Sequence, residues 1–355
     1  MDGPIHVTRK VMHMAAATEK RDSISRPPTR WEKFFDRGFR GLTYVVAGLT
    51  VVLVLYIVFT ISRSAAPAIT KHGFRFLTDT TWDPNKDHYG ILPQIWGTLY
   101  SSVLAVVIGT VLGLAVAVFL SERLLSLYIF RVLRLFGLPS QGIWAKLPNS
   151  LESLLKNLIE LLAAIPSVVY GLWGIFVIVP LIRPACNWVH QTMGGIPLFS
   201  TPLSGPGMLP AAIVLSIMIL PTISAISRDA LVSVPPKLRE AAYGLGATRL
   251  ETLLAVIIPT AKTGIFGAVL LAFGRALGET MALAMLVGNA NVISLSLFSP
   301  ANTLAALLAN TFPEAQRQQV SVLMYAALVL MGITLAVNIF GALILRRASR
   351  EEKGA

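Results

Sequence analysis

The chain has 355 residues, of which 54% are hydrophobic and only 14% are charged. Roughly a quarter of the residues of a soluble protein are charged, so this composition excludes an ordinary soluble protein. The formal net charge is +12, but the basic residues lie between long apolar blocks, which indicates membrane orientation rather than nucleic-acid binding. A single cysteine, Cys186, excludes an intrachain disulfide. No metal-ligand spacing is present, so we predict no metal site.

Residues 1–40 form a cytoplasmic N-terminal arm that we expect to be largely disordered, since Arg26-Pro27-Pro28 and mixed charges give it no apolar periodicity. A basic amphipathic stretch, Arg30 to Arg40, leads towards the first apolar block. The predicted organisation then continues with a first transmembrane helix and outer loop at 41–94, a core of five transmembrane helices at 95–346, and a basic cytoplasmic tail at 347–355.

Six apolar blocks predict an all-α integral membrane protein. Each has about 20 or more mostly apolar residues, which at 1.5 Å per residue cross a hydrocarbon layer of about 30 Å. Lipid cannot satisfy backbone N–H and C=O groups, so helix is the expected conformation of each block. The predicted helices are 41–62, 95–120, 158–182, 207–226, 265–288 and 321–345.

Lysine and arginine counts predict that both termini are cytoplasmic. The segments on one side of the six predicted helices carry 23 of the 30 basic residues, and the segments on the other side carry 6. The positively charged side of a membrane protein faces the cytoplasm.

Residues 121–157 form an unusual cytoplasmic insertion. The stretch from Leu124 to Leu138 is apolar but is interrupted by Arg131 and Arg134, and it is too short to span a bilayer comfortably. We therefore expect an interfacial helix that lies on the cytoplasmic leaflet.

The third apolar block contains Pro166 followed by Ser167. A proline inside a membrane helix can bend it and free a carbonyl group. Two interpretations stay open: the bend lines a transport path, or it only shapes the packing of the helix.

A cytoplasmic module at 228–260 follows the fourth block. After Pro235-Pro236, apolar groups at 238, 241, 242 and 245 predict one stripe of a short helix, which Gly246 can end in a left-handed conformation. Thr248 and Glu251 match a capping box that would start a second helix, and Pro259 is expected to end or kink it. Such a helix-turn-helix can dock on a partner protein or rest on lipid.

Arg275 and Glu279 lie within the fifth apolar block, where an ionised side chain costs about 2.5–3.5 kcal/mol. At a spacing of four residues they would share one face of a helix. Gly274 and Gly278 permit close approach beside that face. The planar guanidinium group of arginine can donate two parallel hydrogen bonds to an oxyanion, like the prongs of a fork. We therefore expect this face, with Thr280, to line an anion path. The alternative is a self-neutralised pair that only fixes helix packing.

Parts of this sequence resemble known permeases. Glu240, Ala241 and Ala242, followed by Gly246 and Pro259 at the right spacing, resemble the EAA loop of ABC-importer permeases. Residues 160–174, ELLAAIPSVVYGLWG, and 274–282, GRALGETMA, resemble the PstC family of phosphate permeases. The resemblance covers about residues 40–350; the long N-terminal arm and the 121–157 insertion depart from it.

This resemblance implies the ABC type I importer permease fold and a subunit of an inorganic phosphate importer in the bacterial plasma membrane. Its implied partners are a PstA-like second permease, a PstB-like ATPase dimer docked on the EAA loop, and a PstS-like phosphate-binding protein. ATP and Mg²⁺ would bind the ATPase, because this chain has no G-x-x-x-x-G-K-[ST] sequence, and we expect neither a catalytic residue nor a cofactor here.

Two alternative functions stay open. The first is the permease of another oxyanion importer, for sulfate, molybdate or phosphonate, against which only the residues after Glu279 argue. The second is a secondary transporter that is driven by an ion gradient. Such transporters often contain inverted repeats, and we find no internal repeat.

Overall fold

The structure, a computed structural model, describes the backbone of residues 29–122 and 143–354 and the side chains of 29–122 and 150–347. Most of the predicted N-terminal arm, and the predicted interfacial helix between Leu124 and Leu138, lie outside the described residues. The regular secondary structure of the described residues is helical apart from one two-stranded antiparallel sheet, in which Trp82 pairs with Tyr89 and Asp83 with His88. The all-α membrane fold class is therefore confirmed.

The elements are numbered in chain order. They are α1 (Arg30–His72), α2 (Arg75–Thr78), β1 (Trp82–Asp83), β2 (His88–Tyr89), α3 (Leu92–Ser121), α4 (Ile143–Ala164), α5 (Ser167–Trp173), α6 (Val179–Met193), α7 (Met208–Val232), α8 (Pro236–Gly244), α9 (Arg249–Thr252), α10 (Ile258–Leu277), α11 (Met281–Leu286), α12 (Leu304–Thr311) and α13 (Arg317–Gly354). Short π-helical turns at Gly174–Ile178 and Leu253–Ile257 join α5 to α6 and α9 to α10.

Six of the described helices are long and apolar enough to cross a membrane, as the sequence predicts. Their bounds differ from the apolar blocks because helices continue through polar residues beyond the hydrocarbon layer. These spans are Arg30–His72, Leu92–Ser121, Ser167–Met193, Met208–Val232, Arg249–Leu277 and Arg317–Arg347. The prediction was wrong about the start of the third span and the end of the fifth, where breaks in the helix replace continuous helix.

The chain divides into two compact units, Met1–Phe59 and Thr60–Ala355. In the first unit, the described residues form one helix whose side chains are exposed almost throughout, including the tyrosines and phenylalanines. The second unit contains the hydrophobic core.

The core of the second unit is built on the contact between α3 and α7. Small residues of α3 form a buried stripe that includes Ala105, Gly109 and Gly113. A Cβ atom on Gly113 would lie 2.8 Å from Ile223 Cγ2 of α7. Because lipid gives helices no hydrophobic reason to associate, close backbone approach of this kind supplies the packing energy.

A non-helical segment, residues 287–303, crosses the end of the bundle where α3 begins. Side chains of α3 hold it: Trp96 Nε1 donates to the Ser294 carbonyl at 3.1 Å, and Tyr100 Oη donates to the Leu295 carbonyl at 2.8 Å. The Leu304 N–H donates to Thr98 Oγ1 at 2.9 Å. Irregular backbone is tolerated in a membrane protein where protein groups satisfy it, and these bonds do so here.

Candidate functional site

The fifth span ends in a break that the sequence pattern conceals. Helix α10 stops at Leu277, the residues Gly278, Glu279 and Thr280 are non-helical, and α11 starts at Met281. The prediction that Arg275 and Glu279 share one face of a continuous helix was therefore wrong. Both residues are described, and they do not form an ion pair with each other.

Arg275 occupies the last turn of α10 and is exposed. Its Nη1 atom donates a hydrogen bond of 3.4 Å to Thr222 Oγ1 of α7, a long bond that leaves most of the guanidinium donors of Arg275 free of Thr222. The bond orients the fork without neutralising it, since a hydroxyl carries no charge. Arg275 can therefore offer two parallel N–H donors to an oxyanion.

Glu279 is half-buried at the break, and its carboxylate faces α11 instead of Arg275. Its Oε1 atom accepts from the Ala282 N–H at 3.4 Å, and Thr280 Oγ1 donates to the Gly278 carbonyl at 3.1 Å. A carboxylate at the amino end of a helix satisfies an otherwise unpaired N–H group. Glu279 thus stabilises the start of α11 while remaining partly accessible.

The predicted bend at Pro166 is a complete helix break. Pro166 is extended, with φ −58° and ψ 138°, and Ser167 begins α5. Proline has no N–H to donate to the carbonyl four residues earlier. Tyr170 Oη donates to that carbonyl, Leu162 O, at 2.8 Å, so the freed carbonyl that the sequence suggested for the path is already occupied.

The two breaks lie on neighbouring helices. Helix α5 packs on α11 so closely that a Cβ atom on Gly171 would lie 2.8 Å from Met285 Sδ and 3.4 Å from Ala282 Cα. Tyr170 is also within electrostatic range of Arg275. The fold therefore brings the chain after Pro166 and Ser167 near the chain that follows Arg275, although the two are more than a hundred residues apart in sequence.

The module at 228–260 has the predicted form in its first half. Helix α8 covers Pro236–Gly244, and Gly246 has φ +85°, the left-handed conformation that favours glycine. Thr248 and Glu251 form the predicted capping box, with both bonds present. Within α8, Ala242 is buried while Glu240 and Ala241 are exposed, so α8 packs against the rest of the chain through Ala242 and leaves the other two side chains accessible.

Pro259 does not end the second helix of the module, which excludes the first of the two predicted outcomes, an end or a kink. The helix runs from Arg249 to Leu277 and passes Pro259 directly after the π-helical turn Leu253–Ile257. Proline lacks an N–H and clashes with the preceding turn of a regular helix. A wider turn before Pro259 allows the helix to continue into the fifth span.

A contact that the sequence does not reveal ties α8 to the membrane helices. Arg239 Nη1 donates to Glu122 Oε1 at 2.8 Å at the end of α3, and Arg239 Nη2 donates to the Leu231 carbonyl of α7 at 3.1 Å. The two charged side chains are 23% and 13% exposed. Arg239 and Glu122 lie 117 residues apart in the sequence, so no local sequence pattern predicts this ion pair.

Comparison with known proteins places the chain in a family. The profile of the binding-protein-dependent transport system inner membrane component family matches residues 137–350. The chain belongs to this permease family. The matched region contains α8, both helix breaks and Arg275.

Curated relatives of this permease match it over nearly its whole length. It is 38% identical to the phosphate transport system permease protein PstC of Mesorhizobium japonicum, over 88% of this chain and 89% of the relative. It is 36% identical to PstC of Haemophilus influenzae over 90% and 97%. A probable PstC of Methanocaldococcus jannaschii is 33% identical over 86% and 93%.

Solved structures agree with this permease in fold. A chain of a bacterial ABC transporter that imports the acidic polysaccharide alginate superposes with a TM-score of 0.55 at 16% identity, over 90% of this chain and 99% of that one. The alginate transporter in complex with a pentasaccharide-bound periplasmic protein gives 0.56 at 15% identity, over 90% and 98%. The ABC importer permease fold is confirmed, and the chain is a multi-pass membrane protein.

Proposed function

We propose that this chain is the transmembrane permease subunit of an ATP-driven inorganic phosphate importer in the bacterial inner membrane. The observation that carries the proposal is its identity of 33–38%, over nearly the whole chain, to permeases named for phosphate transport. Arg275 supplies chemistry that fits this substrate, because a guanidinium binds phosphate oxygens through two parallel hydrogen bonds.

The path that we propose passes the break between α10 and α11. Arg275 binds the incoming phosphate. The passage is lined by Gly278 and Thr280 on one side and by the chain at Pro166 and Ser167 on the other. Thr222 Oγ1 orients Arg275 without reducing its charge. Glu279 limits how long phosphate stays, because its negative charge near the path repels an anion bound to Arg275.

Energy for transport comes from outside this chain. We propose that a PstB-like ATPase dimer binds ATP and Mg²⁺ and docks on α8 through Glu240, Ala241 and the turn at Gly246. A PstA-like permease completes the pathway, and a PstS-like protein delivers phosphate. The Arg239–Glu122 ion pair then transmits the motion of α8 to α3.

Reconstitution tests this function. The chain, the second permease, the ATPase and the phosphate-binding protein of the same organism are assembled in liposomes, and uptake of labelled phosphate is measured with ATP inside. We expect uptake that requires both ATP and the binding protein and that sulfate or molybdate does not compete. Uptake driven by an ion gradient without ATP, or equal competition by sulfate, would contradict the proposal.

A further inference from the structure

Two neighbouring cavities lie along one face of α7, opposite the junction between α4 and α5, and together they are called the groove. Six residues of α7 line it: Ile217, Pro221, Ser224, Ala225, Arg228 and Asp229. Four of them, Ile217, Pro221, Ser224 and Arg228, are spaced four, three and four residues apart, which places them on one stripe of the helix. The character of this groove changes from apolar at Ile217 to charged at Arg228.

The charged end of the groove is a cavity of about 100 Å³. Its lining includes two cations and two anions. Lys156 Nζ lies 3.6 Å from Glu160 Oε1, and Arg228 Nη1 lies 3.6 Å from Asp229 Oδ1. The charges therefore balance within the cavity.

The apolar end is a second cavity of about 260 Å³. Its wall is formed by Leu162, Ile165, Val169, Tyr170, Trp173 and Ile217. Several of these large side chains remain accessible; Val169 is 49% exposed and Trp173 is 39% exposed. Such a surface needs an apolar occupant.

We propose that this groove binds one phospholipid with a zwitterionic, amine-bearing headgroup, namely a phosphatidylethanolamine. The headgroup phosphate accepts hydrogen bonds from Lys156 and Arg228, and its ammonium donates to Glu160 and Asp229. An acyl chain lies in the apolar cavity. The orientation suits a membrane, since the charged end of the groove lies at the end of α7 that leads to α8, where a headgroup is expected.

Charge balance favours this lipid over other occupants. Free inorganic phosphate would meet two carboxylates in the same cavity and would leave the apolar half empty. An anionic lipid would meet the same repulsion. A trimethylated choline headgroup carries the positive charge but has no N–H with which to donate to Glu160 and Asp229.

Lipid retention by the assembled importer tests the proposal. The complex is placed in nanodiscs with equal amounts of phosphatidylethanolamine, phosphatidylglycerol and phosphatidylcholine, and the lipids that stay bound are counted by native mass spectrometry. We expect phosphatidylethanolamine to be enriched about tenfold over each of the others, as one or two charge-assisted hydrogen bonds permit.

Two variants separate the headgroup from the chain. Glu160→Gln should reduce the preference for phosphatidylethanolamine over phosphatidylcholine by about threefold or more, and Val169→Trp should lower retention of all three lipids by filling the apolar cavity. Arg183→Gln, which removes an exposed charge outside the groove, is the control and should change neither.

Three results would overturn the proposal. They are equal retention of the three lipids, retention unaffected by both variants, and a cross-link from Val169→Cys, in a Cys186→Ser background, to the second permease. The last result would show that a protein covers the groove.

Discussion

Among individual residues, Arg275 is decisive for the proposed transport path. Arg275→Ala should reduce phosphate uptake at least about a hundredfold, because it removes a charged hydrogen-bond donor from a membrane span. Arg275→Lys should retain part of the activity, since lysine keeps the charge but loses the fork. Uptake is measured in liposomes containing complexes that still co-purify with the ATPase.

Arg183→Ala provides the matched control, because Arg183 is an exposed arginine that lies outside the proposed path. If Arg275→Ala importers assemble and take up phosphate at the normal rate, Arg275 has only a packing role.

The sequence alone predicted the position of Arg275 in a span but gave it the wrong partner. The helix break at Gly278 turns Glu279 towards Ala282, and Thr222 of α7 contacts Arg275 instead.

Tyr170 compensates for a proline, and its removal should be measurable. Tyr170→Phe leaves the Leu162 carbonyl without the donor that Pro166 cannot supply. We expect the free energy of unfolding in mixed micelles to fall by about 1 kcal/mol, the scale of hydrogen bonds between groups in membrane proteins. Tyr44→Phe changes an exposed tyrosine and should have no effect. Equal stability of the Tyr170→Phe protein and the parent would show that the Leu162 carbonyl needs no partner.

At the scale of elements, the turn after α8 depends on one backbone conformation. Gly246→Ala should destabilise this turn by about 1 kcal/mol, because alanine at φ +85° is strained. Gly244→Ala is a close control: both glycines have open space around them, and only Gly246 has positive φ. We expect Gly246→Ala, unlike Gly244→Ala, to weaken co-purification of the ATPase; identical behaviour of the two variants would exclude a role for the turn in docking.

The Arg239–Glu122 ion pair connects α8 with the membrane helices, and we expect its loss to uncouple ATP hydrolysis from transport. Arg239→Gln or Glu122→Gln leaves one mostly buried charge unpaired and should cost about 1–3 kcal/mol. Phosphate uptake per ATP hydrolysed should fall about tenfold with the complex intact.

The charge-swapped double variant, Arg239→Glu with Glu122→Arg, should recover part of that ratio. Arg249→Gln, at an exposed arginine of α9 that is not part of the ion pair, should leave it unchanged. A double variant no better than either single variant would argue against direct coupling through the pair.

How far the sequence predicts an element depends on whether its signal is local. The capping box at Thr248 and the left-handed Gly246 are set by neighbouring residues, and the structure has both. The sequence predicted only a bend at Pro166 and no break at Gly278. Hydropathy reports how apolar a segment is, and it does not report whether the backbone of that segment is one continuous helix. The π-helical turn before Pro259 and the Arg239–Glu122 contact depend on packing between distant segments, which no local window contains.

For the whole molecule, the distribution of positive charge makes one prediction on which the proposed partners depend. With 23 basic residues on one side of the predicted spans and 6 on the other, both termini and α8 should be cytoplasmic. Single cysteines in a Cys186→Ser background test this by labelling intact cells with a membrane-impermeant thiol reagent. Asn85→Cys, in an exposed turn after the first span, should be labelled from outside.

Leu245→Cys, after α8, should be labelled only once the membrane is opened, although Leu245 is 89% exposed and so is not shielded within this chain. The ATPase of the complete importer could cover that position, so opened membranes are labelled both with and without the ATPase. Labelling of Leu245→Cys in intact cells would place α8 outside. Leu245, together with Glu240 and Ala241, could then not contact a cytoplasmic ATPase. A transporter driven by an ion gradient would become the better explanation of the function of this chain.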